Sequence, residues 1–254
     1  MKARLNLLRF TVILLCLTLT VLWAGENPSC AKALKGVIHL SDNDVRFHSK
    51  AGITVFVDPL AGPEDETVIK AKMTKADLIL ITHPHGDHFQ PDVLKAYQKV
   101  NPDVVLAGPA EVAKMAKEAR IKMQSVEPNQ KYGLAGVQVR TVPAYFSEGD
   151  HHPKESGWVG YVLDLNGMSY YITGDTEPVP EMAKVHADVI FPLLYGCGGN
   201  IEQAVKMTKL SGASYVVPVH TGGNKEVIKK FMASLPAETQ SAFFAKGQLI
   251  ATGQ

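Results

Sequence analysis

The segment ITHPHGDHF, residues 81–89, places three histidines and an aspartate within six positions: His83, His85, Asp87 and His88. His83, His85 and Asp87 alternate along the chain, so an extended loop would aim their side chains the same way. Imidazole and carboxylate groups bind zinc and other divalent ions. A single catalytic ion that keeps one coordination position open for water or substrate needs fewer than four protein donors. The segment therefore predicts two divalent metal ions.

Two later segments repeat the same arrangement, an apolar strand that ends in a ligand-type residue. YYITGDT ends near Asp175, and YVVPVHT ends near His220. Loops at the carboxyl ends of strands are where α/β proteins place their chemistry. A histidine-rich surface turn would need no such partners, so we expect Asp175 and His220 to complete the site.

Strand-like and helical patterns alternate along the chain and indicate how these residues are positioned. Strands are predicted at 36–40, 53–58, 76–82, 103–108, 188–194, 215–220 and 248–252. Helices are predicted from Pro91 through Tyr97, over 110–120, over 201–210 and over 225–235. This alternation favours sheets with helices packed outside them.

The middle of the chain is rich in strands. VQVRTV alternates with a period of two, and WVGYVLDL and MSYYITGD flank Asn166-Gly167, a strong hairpin signal. Without repeats or low-complexity segments, residues 34–254 are expected to form a single domain. An eightfold barrel of the amidohydrolase type also places His-x-His at a strand end, but it fits poorly with a central hairpin.

Composition narrows the class of partner. The 254 residues carry a formal net charge of +1, and the charged residues are scattered with mixed sign. A stripe of Lys and Arg interleaved with aromatics, as nucleic-acid binding would need, is absent from the sequence. We therefore expect a small-molecule substrate and no obligate nucleic acid.

The N-terminus resembles an export signal. Lys2, Arg4 and Arg9 precede an apolar stretch over 10–24, and a segment of small and polar residues follows. Residues 1–33 are therefore predicted to be a signal peptide with a short linker, cleaved after residue 24, 31 or 33. The expected location is periplasmic or secreted, and a retained membrane anchor is the alternative.

Cysteine usage is sparse, so a disulfide-rich scaffold is excluded. Cys16 lies in the predicted leader, and Cys30 could pair with Cys197 unless cleavage removes it. Cys197 belongs to LYGCGGN, which follows a predicted strand and should line the rim of the metal site together with Tyr195. Cys197 is thus a buried thiol, a bridge or a pocket residue.

The pattern His-x-His-x-Asp-His, a later Gly-Asp and a histidine after a "PV" strand resembles the metallo-β-lactamase fold superfamily. HPKESGWVGYVLDLNGMSYYITGDTEPVPEM and VVPVHTGG are especially similar to its branch of broad metal-dependent hydrolases. That branch includes ascorbate-6-phosphate lactonase-like proteins and, more distantly, N-acyl-phosphatidylethanolamine phospholipase D. The resemblance implies an αββα sandwich of two mixed sheets with the metals at the rim between them.

The resemblance also implies how the ligands divide between two ions. The first ion would take His83 and His85, the second Asp87, His88 and His220, and Asp175 would bridge them. A third histidine for the first ion is expected from AYFSEGDHHPK, where His152 is favoured over His151. Other members carry this histidine close to the position of Tyr145.

Weaker candidates surround this set. Asp58 in FVDP either orients the histidine loop, as an aspartate of the family does, or simply forms a turn. His39, His48 and His186 lack a ligand-like setting and are expected to be structural. Trp158 is expected in the core rather than under a substrate.

These features predict a hydrolase with two divalent ions, zinc or alternatively manganese or iron. Two ions that share a water lower its pKa to about 7, so a metal-bridging hydroxide would attack a carbonyl or phosphoryl centre. Asp87 would orient that nucleophile and take part in proton transfer. The expected substrate is a phosphodiester, a lactone or another ester or amide. A non-hydrolytic metal-binding or di-iron redox protein of the same fold is the alternative.

Overall fold

The computed structural model describes residues 32–39, 43–62, 65, 75–242 and 249–250, which contain fourteen strands and four α-helices. Residues 1–31 of the predicted leader, Cys30 among them, lie outside the described residues. Within them, none of the helices has the length and apolar character required to cross a bilayer.

The first sheet has seven strands in the order β14-β1-β2-β3-β4-β5-β6. Its strands are β1 (Val37–His39), β2 (Val45–His48), β3 (Thr54–Val57), β4 (Leu78–Leu80), β5 (Val105–Pro109), β6 (Gln124–Val126) and β14 (Leu249–Ile250). Pairing is antiparallel from β14 to β3 and parallel from β3 to β6.

The second sheet also has seven strands, in the order β13-β12-β11-β10-β9-β8-β7. Its strands are β7 (Lys131–Leu134), β8 (Val137–Pro143), β9 (Val159–Leu165), β10 (Met168–Ile172), β11 (Val189–Phe191), β12 (Tyr215–Val216) and β13 (Gln240–Ser241). It too has three antiparallel and three parallel pairings. Both sheets are therefore mixed.

Two helices cover the outer face of each sheet. They are α1 (Pro91–Val100) and α2 (Ala110–Glu118) on the first sheet, and α3 (Ile201–Ser211) and α4 (Lys225–Ser234) on the second. Short 3-10 helices cover Lys154–Ser156 and Pro180–Lys184. Asn200 and Asn224 cap α3 and α4, since each side chain accepts a backbone N–H three residues on.

Strand alternation divides the apolar residues between three cores. On β3, Val55 and Val57 face the second sheet, whereas Phe56 between them faces α1. On the second sheet, Tyr171 points outward to the layer that contains Phe231 of α4. The core between the sheets and the two outer cores give four layers, and the predicted αββα sandwich is confirmed.

The predicted elements are present, most of the strands in shortened form, and helix α1 continues three residues beyond the predicted Tyr97. At the β9–β10 hairpin, Asn166 and Gly167 have φ of 59° and 81°, as a type I′ turn requires. Four strands lie where no strand was predicted: β2, β6, β7 and β13. Two seven-stranded sheets exclude the barrel.

Candidate metal centre

The loop after β4 carries the first group of donors. His83 and His88 are buried with about 1% of their surface exposed, whereas Asp87 is exposed. His88 N donates to the His85 carbonyl at 2.9 Å, so the loop turns tightly after His85. The turn directs His88 back towards His83, and the two rings lie 3.8 Å apart.

The second sheet supplies the remaining donors. Asp175 follows β10 and is 2% exposed, and His220 lies after β12. Nε2 of His220 lies 3.2 Å from Asp87 Oδ2 and 3.6 Å from Asp175 Oδ2. Nε2 of His88 lies 3.5 Å from Asp175 Oδ1, and that of His83 lies 4.0 Å from Asp175 Oδ2. Asp175 is therefore central to the cluster.

Among the described residues, the donor atoms form overlapping groups in which all atoms lie within 4.8 Å of one another. The groups are His83–His85–His152, His83–His88–Asp175, Asp87–His88–His220, His151–His152–Cys197 and Asp175–Cys197–His220. The structure thus brings together all seven residues that the sequence singled out as ligands, from both sheets.

Several buried polar atoms in the site lack a hydrogen-bond partner, and a bound metal ion would satisfy them. Nε2 of His83, both ring nitrogens of His152 and Oδ2 of Asp175 are buried without a hydrogen-bond partner. Buried polar groups are normally paired, because each one left unpaired costs about 1–3 kcal/mol. Four such atoms in one cluster of histidines and carboxylates are what a divalent ion would satisfy.

The two adjacent histidines differ in position. The ring of His152 is 1% exposed and lies 4.8 Å from that of His83 and 4.7 Å from that of His85. His151 is exposed and stacks on the outer side of His85 at 4.6 Å. The geometry therefore favours His152 as the third donor beside His83 and His85.

Tyr145 and Trp158 frame this part of the site. The Tyr145 hydroxyl hydrogen-bonds Glu181 and Lys154 and does not belong to any of the donor groups above. Trp158 is buried as predicted, but its ring also contacts His83, His85 and His152 at centroid distances of 4.8–5.3 Å. Its indole N–H donates to Glu111 at 3.0 Å. No sequence pattern predicts this contact with the ligand candidates.

Asp58 is a positioning residue in this geometry. Its carboxylate accepts hydrogen bonds from the backbone N–H and the hydroxyl of Thr82, at 2.8 and 2.6 Å. Its Oδ2 also lies 2.8 Å from Nδ1 of His88. A proton held on Nδ1 leaves Nε2, which lies near Asp175 and the Asn43 amide, as the nitrogen that would bind a metal.

Asn43 was not anticipated by the sequence reasoning. It is buried, its side-chain amide donates to the Asp87 carbonyl at 3.2 Å, and it lies 3.0 Å from Nε2 of His88. Asn43 thus fixes the backbone of the histidine loop. It is more than forty residues away in sequence and belongs to no recognisable motif.

Burial keeps three of the histidines neutral. It lowers the pKa of His83 well below its usual range, an effect that the nearby His88 reinforces. It lowers the pKa of His85 as well, together with His151, and that of His152 to about 4. Neutral imidazole is the form that binds a metal, so these histidines are ready ligands at pH 7.

At His88 and Asp175 the surroundings favour the charged form of each side chain. Burial lowers the pKa of His88, but the carboxylates of Asp58 and Asp175 outweigh it and raise that pKa to about 10. Burial raises the pKa of Asp175, but hydrogen bonding and the charge of His88 hold it well below its usual range. This part of the site therefore favours positive charge, which a metal ion would supply in place of the proton.

Cys197 and Tyr195 lie at the rim, as predicted. Tyr195 is exposed, and Cys197 is a partly buried free thiol. Burial raises the pKa of this thiol to about 12, and the charge of Asp175 adds to the effect. Because Cys30 lies outside the described residues, the alternative Cys30–Cys197 bridge stays a prediction.

The three remaining histidines take no part in the described donor groups. His39 is buried on β1, His48 lies 3.0 Å from the Thr54 hydroxyl through Nδ1, and His186 is exposed. They are structural or surface residues, in agreement with their sequence setting.

Comparison with known families decides the class. The family described as beta-lactamase superfamily domain matches residues 39–220, a range that contains every donor named above. The chain belongs to this superfamily. One relative of this chain is a UPF0173 metal-dependent hydrolase of Thermococcus kodakarensis. It is 28% identical in an alignment 181 positions long, which covers 65% of this chain and 76% of the relative.

Solved structures confirm the metallo-β-lactamase fold. A metallo hydrolase of Ignicoccus hospitalis superposes with a TM-score of 0.66 at 20% identity, over 84% of this chain and 95% of that one. A diiron β-hydroxylase of Streptomyces venezuelae superposes with a TM-score of 0.62 at 14% identity, over 81% of this chain and 52% of that one. Similarities at this level of identity establish the fold alone, so the reaction has to be argued from the site.

Proposed function

We propose that this superfamily member is an exported hydrolase with two divalent ions that cleaves a phosphodiester or a lactone. It is a metal-dependent hydrolase by class, since its superfamily and its relatives of that description agree with the donor cluster. One observation carries the dinuclear assignment. Two groups of three donors, His83–His85–His152 and Asp87–His88–His220, each contact the buried Asp175 that lies between them.

Each group would hold one ion. The first offers three neutral imidazoles, and the second offers two imidazoles and a carboxylate. Asp175, which lies between the groups, would be shared by both ions. Such donor sets suit zinc best, with manganese and iron as alternatives. When bound, the ions lower the pKa of water to near neutrality and polarise the substrate oxygen that becomes negative.

Asp87 is the residue that we assign to proton transfer. Its side chain is half exposed, whereas that of Asp175 is 3% exposed. It therefore faces both His220, at 3.2 Å, and the solvent from which substrate arrives. A carboxylate in this place can orient a nucleophile and carry its proton to the leaving group.

Asp58 and Trp158 hold the histidine ligands in place. Asp58 fixes the ring of His88, and Trp158 packs against three histidines of the first group. Such supporting contacts set ligand orientation and hence reactivity. Preference for a phosphodiester or lactone rests on the similarity to the broad metal-dependent hydrolases. Export and a small-molecule partner rest on the leader-like N-terminus and the balanced charge.

The direct test is metal analysis combined with an activity screen. The purified chain should contain two divalent ions per molecule and should hydrolyse members of a phosphodiester and lactone panel faster than β-lactams. His85→Ala and Asp87→Ala should lose metal and activity together. His186→Ala, a change at an exposed histidine, is the matched control and should retain both.

Two results would contradict the proposal. One is hydrolysis at the wild-type rate by His85→Ala and Asp87→Ala. The other is a redox-active iron content with no hydrolysis of any ester, lactone or phosphodiester. The second result would favour the di-iron redox alternative, which the same fold accommodates.

A further inference from the structure

Cys197 lies in a tightly packed glycine turn, residues 196–199, which we call the glycine turn. Gly196 and Gly199 form an isolated bridge, with a hydrogen bond of 2.6 Å from Gly199 N to the Gly196 carbonyl. A Cβ atom at Gly196 would lie 2.9 Å from Cε1 of His220, and one at Gly198 would lie 3.0 Å from the Phe146 ring. The turn thus packs directly against His220, one of the metal-ligand candidates.

The turn places the Cys197 sulfur among donors of both proposed ions. The sulfur lies within 4.8 Å of donor atoms of Asp175 and His220, and within the same distance of donor atoms of His151 and His152. Zn–S and Zn–N bonds are about 2.3 and 2.0–2.1 Å long, so two donors of one tetrahedral ion lie roughly 3.5 Å apart. A small movement of the side chain brings the sulfur to that distance.

Some of the unsatisfied atoms that indicate a metal ion also lie beside this sulfur. Both ring nitrogens of His152 are buried without a partner, although a histidine that binds one ion uses only one of them. Oδ2 of Asp175 is also unpartnered. Both residues belong to groups that contain Cys197, so each has a donor atom within 4.8 Å of the sulfur.

The backbone at Cys197 is held in an uncommon conformation. Its φ of 44° lies in the left-handed region, which a non-glycine residue occupies at a cost of about 1–2 kcal/mol. Neighbouring glycines accept this conformation without strain. The turn thus fixes the position of the sulfur beside the donor cluster.

We propose that Cys197 is a further ligand of the metal centre and binds it as a thiolate. This assignment rests on the proposed metal site and extends its ligand set beyond histidine and aspartate. The thiol releases its proton to solvent as the sulfur–metal bond forms, and no oxidation state changes. A soft donor makes the centre prefer zinc or cobalt over manganese or magnesium.

Cobalt(II) absorption tests the assignment without relying on activity. The metal-free full-length chain titrated with Co(II) should show d–d bands and, in addition, a sulfur-to-cobalt charge-transfer band in the near ultraviolet. Cys197→Ser should lose the charge-transfer band and keep the d–d bands. Cys30→Ser and Cys16→Ser should keep both, because those cysteines are not part of the glycine turn.

Metal competition gives a second readout. The ratio of Zn(II) affinity to Mn(II) affinity should be lower in Cys197→Ser than in the wild type by about tenfold or more. Loss of even a residue that only hydrogen-bonds a metal ligand typically costs 10–100-fold in metal affinity. Cys197→Ala should behave in the same way, which separates loss of the thiol from a misplaced hydroxyl.

The outcomes distinguish this proposal from the proposed function. Cobalt d–d bands without a charge-transfer band in the wild type, or a band that survives in Cys197→Ser, would overturn the thiolate assignment and leave the metal centre intact. Absence of all cobalt bands in the folded wild type would contradict the metal centre, and the thiolate ligand with it.

Discussion

Three residues around the donor cluster have backbones in the left-handed region: Asp58 at φ 48°, Cys197 at 44° and His220 at 52°. Each lies at or near the end of a strand, where the chain changes direction. Non-glycine residues in this region cost about 1–3 kcal/mol and persist only when their surroundings hold them. Arg120, Asn129, Ala135 and Asn166 adopt the same conformation in turns elsewhere, but at the donor cluster it sets how ligand candidates are oriented.

Asp58 provides a prediction at this scale. Asp58→Asn keeps an acceptor for Thr82 but removes the negative charge that holds the proton on Nδ1 of His88. Affinity for the ion beside Asp87 and His220 should therefore fall by about 10–100-fold. Titration with a metal buffer measures this change.

The control is Asp164→Asn, which removes a half-exposed carboxylate on β9 that lies 3.9 Å from Arg140. It should leave metal affinity unaltered. Equal affinity in Asp58→Asn and the wild type would show that Asp58 only stabilises a turn.

At the scale of elements, the site is built from segments that follow strands. The segments after β4, β10 and β12 carry the histidine loop, Asp175 and His220, and the segment between β8 and β9 carries His152. Sequence alone identified these places because an apolar run that stops abruptly at a polar residue marks the end of a buried strand. The ligand types then made each ending recognisable.

Other parts could not be read from the sequence. Strand β2 was missed because Arg46 interrupts its apolar pattern. In the structure Arg46 is fully buried, paired with Asp44 at 2.6 Å and stacked over Phe56. Asn43 was missed because its role comes only from long-range packing. Such contacts depend on the relative placement of distant segments, which no local pattern encodes.

The glycine turn provides a prediction for an element. Gly196→Ala places a Cβ atom 2.9 Å from His220 at a backbone φ of 81°. Either the turn or the His220 ring has to move, so metal affinity should fall by about tenfold or more, as isothermal titration calorimetry would show.

Gly212→Ala is its matched control, because Gly212 has a φ of 65° and an added Cβ there meets nothing within 4 Å. It should cost about 1 kcal/mol of stability in urea unfolding and leave metal affinity unchanged. If both variants lost only stability, the glycine turn would have no role in positioning His220.

For the whole molecule, the donor cluster is a junction between the two sheets. The first sheet contributes the histidine loop, and the second contributes His152, Asp175 and His220. Ions bound there would connect the two sheets. A ligand that binds only the folded state stabilises that state by about 4 kcal/mol when the free ligand concentration is a thousand times Kd. Chelation should therefore lower Tm, and a scan with and without added zinc measures the difference.

The metal-free protein should also have a distinctive dependence of stability on pH. The pKa values of His83, His85 and His152 are lowered, so their contribution to stability is present above the usual pKa of about 6.5. It is lost as pH falls, through about 4 for His152. The pKa of His88 is raised to about 10, so its contribution is present below 6.5 and lost as pH rises through 10. Stability in the absence of metal should thus decline on both sides of neutrality.

His152→Asn isolates one of these groups. Urea unfolding of the metal-free variant between pH 6.5 and 4 should show a slope smaller than that of the metal-free wild type by up to about 1.4 kcal/mol per pH unit, the equivalent of one proton. Above pH 6.5 the two slopes should coincide, because His88 is retained. The comparison is His186→Asn, a change at an exposed histidine outside the donor groups. Identical acid slopes for His152→Asn and the wild type would mean that His152 is not held neutral by burial in the cluster.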